Sequence, residues 1–258
     1  MGEKEEMKIS ISEMNSLLEK ASESERQELY ALCDTDPRAG MRALAAKYRK
    51  KEDHLAAERA RLDRMRRYEH EYAHLGWVCG IDEAGRGPLA GPVVAGAVIL
   101  PADCEILYLN DSKQLSAKRR EELFAVIMEK AVSVGVGIVG PQRIDEINIL
   151  QADYEAMRQA VGQLSPVPDV LLNDAVTIPG LPMKQVPIIK GDAKSLSIAA
   201  ASVIAKVTRD RIMVEYDRQM PEYGFASHKG YGSAAHIAAI RKYGPSPIHR
   251  KTFIHSFV

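Results

Sequence analysis

The sequence predicts an α/β domain built on a mixed central sheet and preceded by a small helical extension. Three observations carry this. Residues 1–72 contain no proline except Pro37 and almost no glycine, and their apolar residues fall at helical spacing, as in Met14, Leu17, Leu18 and then Leu44, Tyr48. After Gly76 the pattern turns abruptly into short apolar runs divided by turns. Beyond residue 140 helical and strand-like stretches alternate, the pattern of an α/β layer, so three antiparallel strands followed by alternation imply a mixed sheet flanked by helices. The expected division is an extension over 1–72 and an α/β domain over 73–258.

Trp77-Val78-Cys79-Gly80-Ile81 reads as a strand, Pro88–Pro92 as a loop and Val93–Leu100 as the next strand. The two are joined by a glycine-rich connection too short for a helix, so they form a hairpin rather than a parallel crossover. Ala117–Lys130 has a helical pattern behind Ser116 as cap, and Val132–Val139 alternates like a third strand. An amphipathic helix follows over Ile149–Leu164, then strands over Asp169–Asn173 and Val186–Ile189. A long helix from Ser195 to about Met220 and another near Ser233–Lys242 precede a basic, proline-containing tail.

Of the 258 residues, 46% are hydrophobic and 27% charged, which excludes a disordered or fibrous chain. The longest apolar stretch, Val93–Leu100, is too short to span a bilayer, and the charged start Met1-Gly2-Glu3-Lys4-Glu5-Glu6 does not resemble a secretory leader. Cys33, Cys79 and Cys104 form no Cys-x-x-Cys pair and are odd in number, so neither a disulfide framework nor a zinc site is expected. A cytoplasmic monomer away from membranes is the expectation. Net charge is zero, but residues 184–258 hold 12 Lys and Arg against 5 Asp and Glu, whereas 73–183 hold 8 against 14. That asymmetry permits a basic face toward phosphates and an acidic pocket toward cations. The second half of the extension is basic too, through Lys47, Arg49, Lys50, Lys51, Arg61, Arg64, Arg66 and Arg67, which suits either a nucleic-acid backbone or a solvated face.

Three strand runs end in a carboxylate. Asp82 and Glu83 follow Ile81, Asp174 follows Asn173, and Asp192 follows Ile189-Lys190-Gly191. On neighbouring strands these side chains converge, and two like charges ~4 Å apart repel by about 4 kcal/mol at an effective dielectric near 20. Compensation comes either from Arg86 and Lys190, as a salt-bridged cluster, or from divalent cations, which prefer hard oxygen ligands and neutralise more charge. The glycines of Gly85-Arg86-Gly87-Pro88-Leu89-Ala90-Gly91 suggest, in isolation, a dinucleotide loop of an oxidoreductase. Such a loop must open a helix, however, and here Pro88 and Pro92 lead into a strand.

The string Gly80-Ile81-Asp82-Glu83-Ala84-Gly85-Arg86-Gly87-Pro88-Leu89-Ala90-Gly91-Pro92-Val93 resembles the signature of bacterial ribonuclease HII, the type 2 ribonuclease H family. Asn110-Asp111-Ser112-Lys113-Gln114-Leu115-Ser116 is similar to that family's second block, and Gly191-Asp192-Ala193-Lys194-Ser195 through Ile198–Ser202 to its third. Ser227-His228-Lys229-Gly230-Tyr231-Gly232 is similar to its fourth, so the resemblance covers roughly 75–255.

The resemblance implies the ribonuclease H fold and a two-cation site using Mn2+ or Mg2+, with the catalytic and metal-holding carboxylates falling on Asp82, Glu83, Asp174 and Asp192. It implies hydrolysis of the RNA strand in RNA/DNA hybrids and cutting 5′ to single ribonucleotides in duplex DNA, leaving 5′-phosphate and 3′-hydroxyl ends. The Gly85-Arg86-Gly87 backbone and Tyr231 are expected to read the 2′-hydroxyl, and Lys113, Lys194 and Ser195 to contact phosphates. Lys229, Arg241, Arg250 and Lys251 would extend a basic path, and His228 and His249 would be hydrogen-bonded structural residues rather than ligands. Two alternatives stand beside this reading. One is a type III ribonuclease H acting on long hybrids only, the other a non-catalytic nucleic-acid binder, for which four clustered carboxylates would serve no purpose.

Overall fold

The computed structural model describes residues 9–256. Internal contacts divide the chain into two units, Met1–Arg61 and Leu62–Val258. The first contains α1 (Ile11–Lys20), α2 (Glu23–Thr35) and most of α3 (Ala39–Met65). Its first two helices begin in full capping boxes, Ser10 with Glu13 and Ser22 with Glu25, each satisfying two backbone donors that a helix start leaves open. Its core is Met14, Leu18, Tyr30, Cys33, Met41, Leu44, Ala45 and Tyr48.

The second unit takes in the end of the expected extension. Leu62 and Met65 are buried with Val98 and Leu196, and Tyr68 and Tyr72 of α4 (Arg67–Tyr72) pack on Val170, Leu172 and Ile198. Then come β1 (Val78–Ala84), β2 (Val93–Ile99), α5 (Ala117–Lys130), β3 (Ser133–Val139), α6 (Pro141–Ile147), α7 (Ile149–Gly162), β4 (Val170–Asp174) and β5 (Lys184–Ile188). The chain ends in α8 (Leu196–Gln219), α9 (Phe225–His228), α10 (Ala234–Tyr243) and α11 (Lys251–Ile254). Among the described residues there is one five-stranded sheet, ordered β3-β2-β1-β4-β5. β1, β2 and β3 are antiparallel neighbours, while β4 runs parallel to β1 and β5 parallel to β4.

Helices cover both faces. Residues alternate across a strand, so Cys79, Ile81, Ala95, Ala97 and Ile99 face α7, while Gly80, Gly96 and Val98 face α8. Close approach on both sides depends on missing side chains. A Cβ at Gly80 would overlap the Ser197 carbonyl and one at Gly96 would lie 2.5 Å from the Ala201 carbonyl oxygen, while Cβ atoms at Gly135 and Gly137 would overlap the α7 carbonyls of Ala160 and Ala156. The Ala199-Ala200-Ala201 run of α8 thus lies directly on β1 and β2.

Two differences from the sequence reading have clear causes. β1 continues past Ile81 to Ala84, because Asp82 and Glu83 still pair with Gly96 and Ala95 of β2. The short helices α6, α9 and α11 span 7, 4 and 4 residues, too few to show a helical period. Cys33, Cys79 and Cys104 are free and buried, and among the described residues no helix is long and apolar enough to cross a membrane.

Gly96→Val should force α8 off the sheet and destabilise the protein by about 1–3 kcal/mol or more, the range for overpacking a dense interface. Urea denaturation would register this as a lower midpoint with little change in slope.

Candidate active site

Asp82 and Glu83 lie near the C-terminal end of β1, and Asp174 is the last residue of β4. Because Ile81 is in register with Asn173, Asp82 and Asp174 follow side by side on adjacent parallel strands. Asp192 sits in the 3-10 turn Gly191–Ala193 that leads into α8. That turn is tied to β4, since the Gly191 N–H donates to Asp174 Oδ1 at 2.7 Å. Strand alternation places Asp82 on the α8 side, toward Asp192, and Glu83 on the α7 side.

The electrostatics match this convergence. Asp82 is only 4% exposed, and its carboxyl is raised well above the ordinary range by burial first and then by the charges of Glu83, Asp174 and Asp192. Burial also raises Glu83, against the lowering pull of Arg86, and raises Asp192, where Asp111 and Asp174 add to it. Lys113 lies 3.9 Å from Asp192 Oδ2. Burial alone would lower its amine, but Asp82, Asp111, Asp192 and Asp174 together raise it, so it remains cationic. Among the described residues no three or more His, Cys, Asp or Glu side chains already form a finished ligand set around one point. The donor set nevertheless fits divalent cations: hard carboxylate oxygens, held together at a cost that positive charge removes.

The loop after β1 forms one wall. Gly85 and Gly91 have φ of +98° and +84°, values that favour glycine, and a Cβ at Gly85 would overlap the Arg209 side chain. A Cβ at Gly87 would meet nothing within 4 Å, so that position is open to a ligand. Tyr231 is 46% exposed and lines a cleft of about 900 Å³ that also holds Arg120, Lys206, Arg211, Arg218 and Lys229 and the acidic Glu121, Asp210 and Glu215. The Lys206 amine and the Arg209 guanidinium lie 5.9 and 5.8 Å from its ring centre. Lys113 and Lys194 are exposed, as phosphate contacts require.

Two expectations need correction. Ser195 is fully buried, where its hydroxyl caps α8 through the Ile198 N–H and donates to Glu69 Oε1 at 2.6 Å, so it is not presented to a phosphate. Arg250 is also fully buried and donates to the carbonyls of Gly85, Arg86 and Gly91, so it does not extend the basic path. His228 and His249 are hydrogen-bonded within the fold. His228 Nε2 meets the Tyr223 carbonyl at 2.8 Å, and His249 Nε2 meets His236 Nε2 at 3.0 Å.

Asp153 is a residue that the sequence reading missed. It lies on α7, fully buried, with neither carboxylate oxygen hydrogen-bonded, 3.6 Å from Arg86 Nε. Arg86 also reaches Glu83 at 3.7 Å, so one guanidinium stands between two carboxylates. Burial, reinforced by Glu83 and opposed by Arg86, pushes Asp153 up to about 8. Its signal was a charged residue in the apolar stripe Ala152, Ala156, Met157, Ala160.

A model of the family described as ribonuclease HII matches residues 79–256, and one of the ribonuclease HII N-terminal domain matches 10–73. Ribonuclease HII of Lachnoclostridium phytofermentans is 60% identical over 248 residues, covering 96% of this chain and 98% of the relative. The Clostridioides difficile protein of the same description is 51% identical over 247 residues, covering 95% and 97%. Among solved structures, ribonuclease H2 from Pyrococcus horikoshii OT3 superposes with a TM-score of 0.59 at 30% identity, over 70% of this chain and 96% of that one.

Asp153→Asn tests the buried acid. The folded value near 8 lies above the ordinary 3.8, so the stability that Asp153 contributes as a neutral acid is complete below pH ~4 and is lost as pH rises to about 8. The Tm of Asp153→Asn relative to wild type should therefore rise steadily between pH 4 and 8 and level off above, whatever its offset at low pH. A difference independent of pH would show that Asp153 ionises normally.

Proposed function

From a chain that belongs to the ribonuclease HII family, and is therefore a metal-dependent endoribonuclease acting on nucleic acid, we propose a specific reaction. The enzyme hydrolyses the RNA strand of RNA/DNA hybrids and cuts on the 5′ side of single ribonucleotides in duplex DNA, leaving 5′-phosphate and 3′-hydroxyl ends. The observation that carries this is the placement of Asp82 and Asp174 side by side at the ends of two parallel strands, beside an open glycine loop and an exposed tyrosine.

Asp82 and Asp174 would hold the cations, with Glu83 and Asp192 completing the set. Mn2+ or Mg2+, when bound, would supply activation of the attacking water and stabilisation of the leaving 3′ oxygen. The remaining tasks fall to the chain. Lys113, kept cationic by the surrounding carboxylates, offsets their charge where phosphate must approach, and Lys194 lies exposed beside Asp192 for the same backbone. Amides of Gly85-Arg86-Gly87 donate to the 2′-hydroxyl that distinguishes RNA from DNA. The Tyr231 ring stacks on the adjacent sugar, beside a cleft whose five basic side chains outnumber its acidic Glu121, Asp210 and Glu215, with four of the five ion-paired to them.

Cleavage of a DNA duplex carrying one ribonucleotide, with Mn2+, Mg2+ or chelator, tests the assignment. We expect metal-dependent cutting 5′ to the ribonucleotide and a loss of about a hundredfold or more in Asp82→Asn, comparable to removing a main stabilising group from an active site. Cutting of long hybrids alone would move the chain to the type III activity, and no cutting of either substrate would remove the proposal.

Proton competition gives a second expectation. Burial and mutual repulsion raise Asp82, Glu83 and Asp192, so these groups hold protons at higher pH than ordinary carboxyls and lose them less readily to a cation as pH falls. The Mn2+ concentration for half-maximal cleavage should therefore rise as the pH is lowered from neutral toward the ordinary carboxylate range. A constant value across that range would contradict it.

A further inference from the structure

The geometry points to Arg250 and Arg209 as positioning residues for ribose recognition: two buried guanidiniums whose bonds to loop carbonyls aim the Arg86 and Gly87 amides outward and seat Tyr231 beside them. This rests on the proposed ribonucleotide-directed activity.

Both side chains are fully buried, and among the described residues neither has an ion pair within 4 Å. Their donors go to backbone carbonyls. Arg250 Nε donates to Gly91 O at 3.0 Å, its Nη1 to Arg86 O at 2.8 Å and its Nη2 to Gly85 O at 2.5 Å. Arg209 Nε donates to Pro92 O at 2.9 Å, its Nη1 to Lys229 O at 3.0 Å and its Nη2 to Ala90 O at 3.1 Å. All six acceptors belong to two segments, the loop after β1 and the turn that carries Tyr231. Arginines serving the fold at large would not concentrate their bonds in this way.

Peptide planarity turns these bonds into a directional constraint. In a trans peptide the C=O and the following N–H point in opposite directions, and among the described residues the cis peptide is Ser165-Pro166, away from this loop. With the Gly85 carbonyl turned onto Arg250, the Arg86 N–H must point away from it. With the Arg86 carbonyl turned the same way, the Gly87 N–H must also point away from Arg250, and a Cβ at Gly87 would meet nothing within 4 Å. The loop is otherwise pinned by Leu89 N–H to Gly230 O at 2.8 Å and by Arg250 N–H to Leu89 O at 2.9 Å. Arg209 joins the two segments, since it holds both Ala90 and Lys229, two residues before Tyr231. A planar fork is required, because one lysine nitrogen cannot span carbonyls on both sides of a guanidinium.

Arg250→Lys and Arg209→Lys keep the charge and remove the fork. Binding of the full-length protein is measured by fluorescence anisotropy in chelator on two duplexes of one sequence, all-DNA or with one ribonucleotide, alongside Mn2+-dependent cleavage kinetics. We expect Arg250→Lys to lower the preference for the ribonucleotide duplex by about tenfold, the loss of one well-placed recognition bond, with all-DNA affinity within about twofold of wild type and the cleavage defect mainly in KM. Arg209→Lys should remove most of the additional effect of Tyr231→Ala, and it decides the matter if Arg250→Lys does not fold. An unchanged preference in a folded variant, or an equal loss on both duplexes, overturns the inference while leaving the wild-type activity intact. A wild type that neither cuts nor prefers the ribonucleotide duplex overturns the underlying activity, and this inference with it.

Discussion

The structure depends on holding like charges together. Asp82 and Asp174 stand at the ends of adjacent parallel strands because Ile81 and Asn173 are in register, and Asp192 joins them through the Gly191 bond to Asp174. Burial first, and then the charges of Glu83, Asp174 and Asp192, raise the Asp82 carboxyl. The fold meets that cost by rigidity. α8 lies against Gly80 and Gly96 with no intervening side chains, so the turn that carries Asp192 cannot drift from the strand that carries Asp82. The unfavourable electrostatics are thereby stored as readiness for a cation rather than relaxed by movement.

Much of this was legible in the sequence, for physical reasons. Strand and helix periods differ, so the hairpin Val78–Ile99 and the helices Ala117–Lys130 and Ile149–Gly162 could be read directly. Carboxylates after apolar runs marked the site because Asp and Glu rarely terminate buried segments in numbers. What could not be read was the pairing that carries β1 through Glu83, since a strand's length is set by its neighbour, here Gly96 and Ala95 of β2. Likewise the burial of Ser195 and Arg250 depends on Glu69 and on the loop carbonyls, partners distant in sequence.

The loop of residues 85–92 holds buried positive charge. Against it lie the guanidiniums of Arg209 and Arg250, solvated by carbonyl dipoles in place of water. Burial, then the charge of Arg209, pushes Arg250 down to about 9, which still leaves it cationic at neutral pH. Carbonyls turned inward leave amides turned outward, so one arrangement satisfies buried cations and prepares a surface of donors. The glycines at 85 and 91 make this possible, because a side chain at either would occupy the space of Arg209 or Met213.

Glu69, Asp82 and Asp153 differ in the donors that reach them. Glu69 Oε1 accepts from the Ser195 hydroxyl, the Ser197 hydroxyl and the Ser197 N–H at 2.6 to 2.8 Å, and in doing so it completes the N-terminus of α8, a structural use of negative charge at a helix start. Asp82 accepts from the adjacent Glu83 N–H, and Asp153 has no hydrogen bond at all. Glu69 Oε1 is thus fully engaged, while its Oε2 is buried without a partner. An acid left with few donors or none retains an unmet electrostatic demand, and Asp82, Glu83 and Asp153 lie close enough for their demands to reinforce one another. Arg86, reaching Glu83 and Asp153 without a hydrogen bond to either, meets only part of it. The remainder is what a divalent cation held at the strand ends would neutralise.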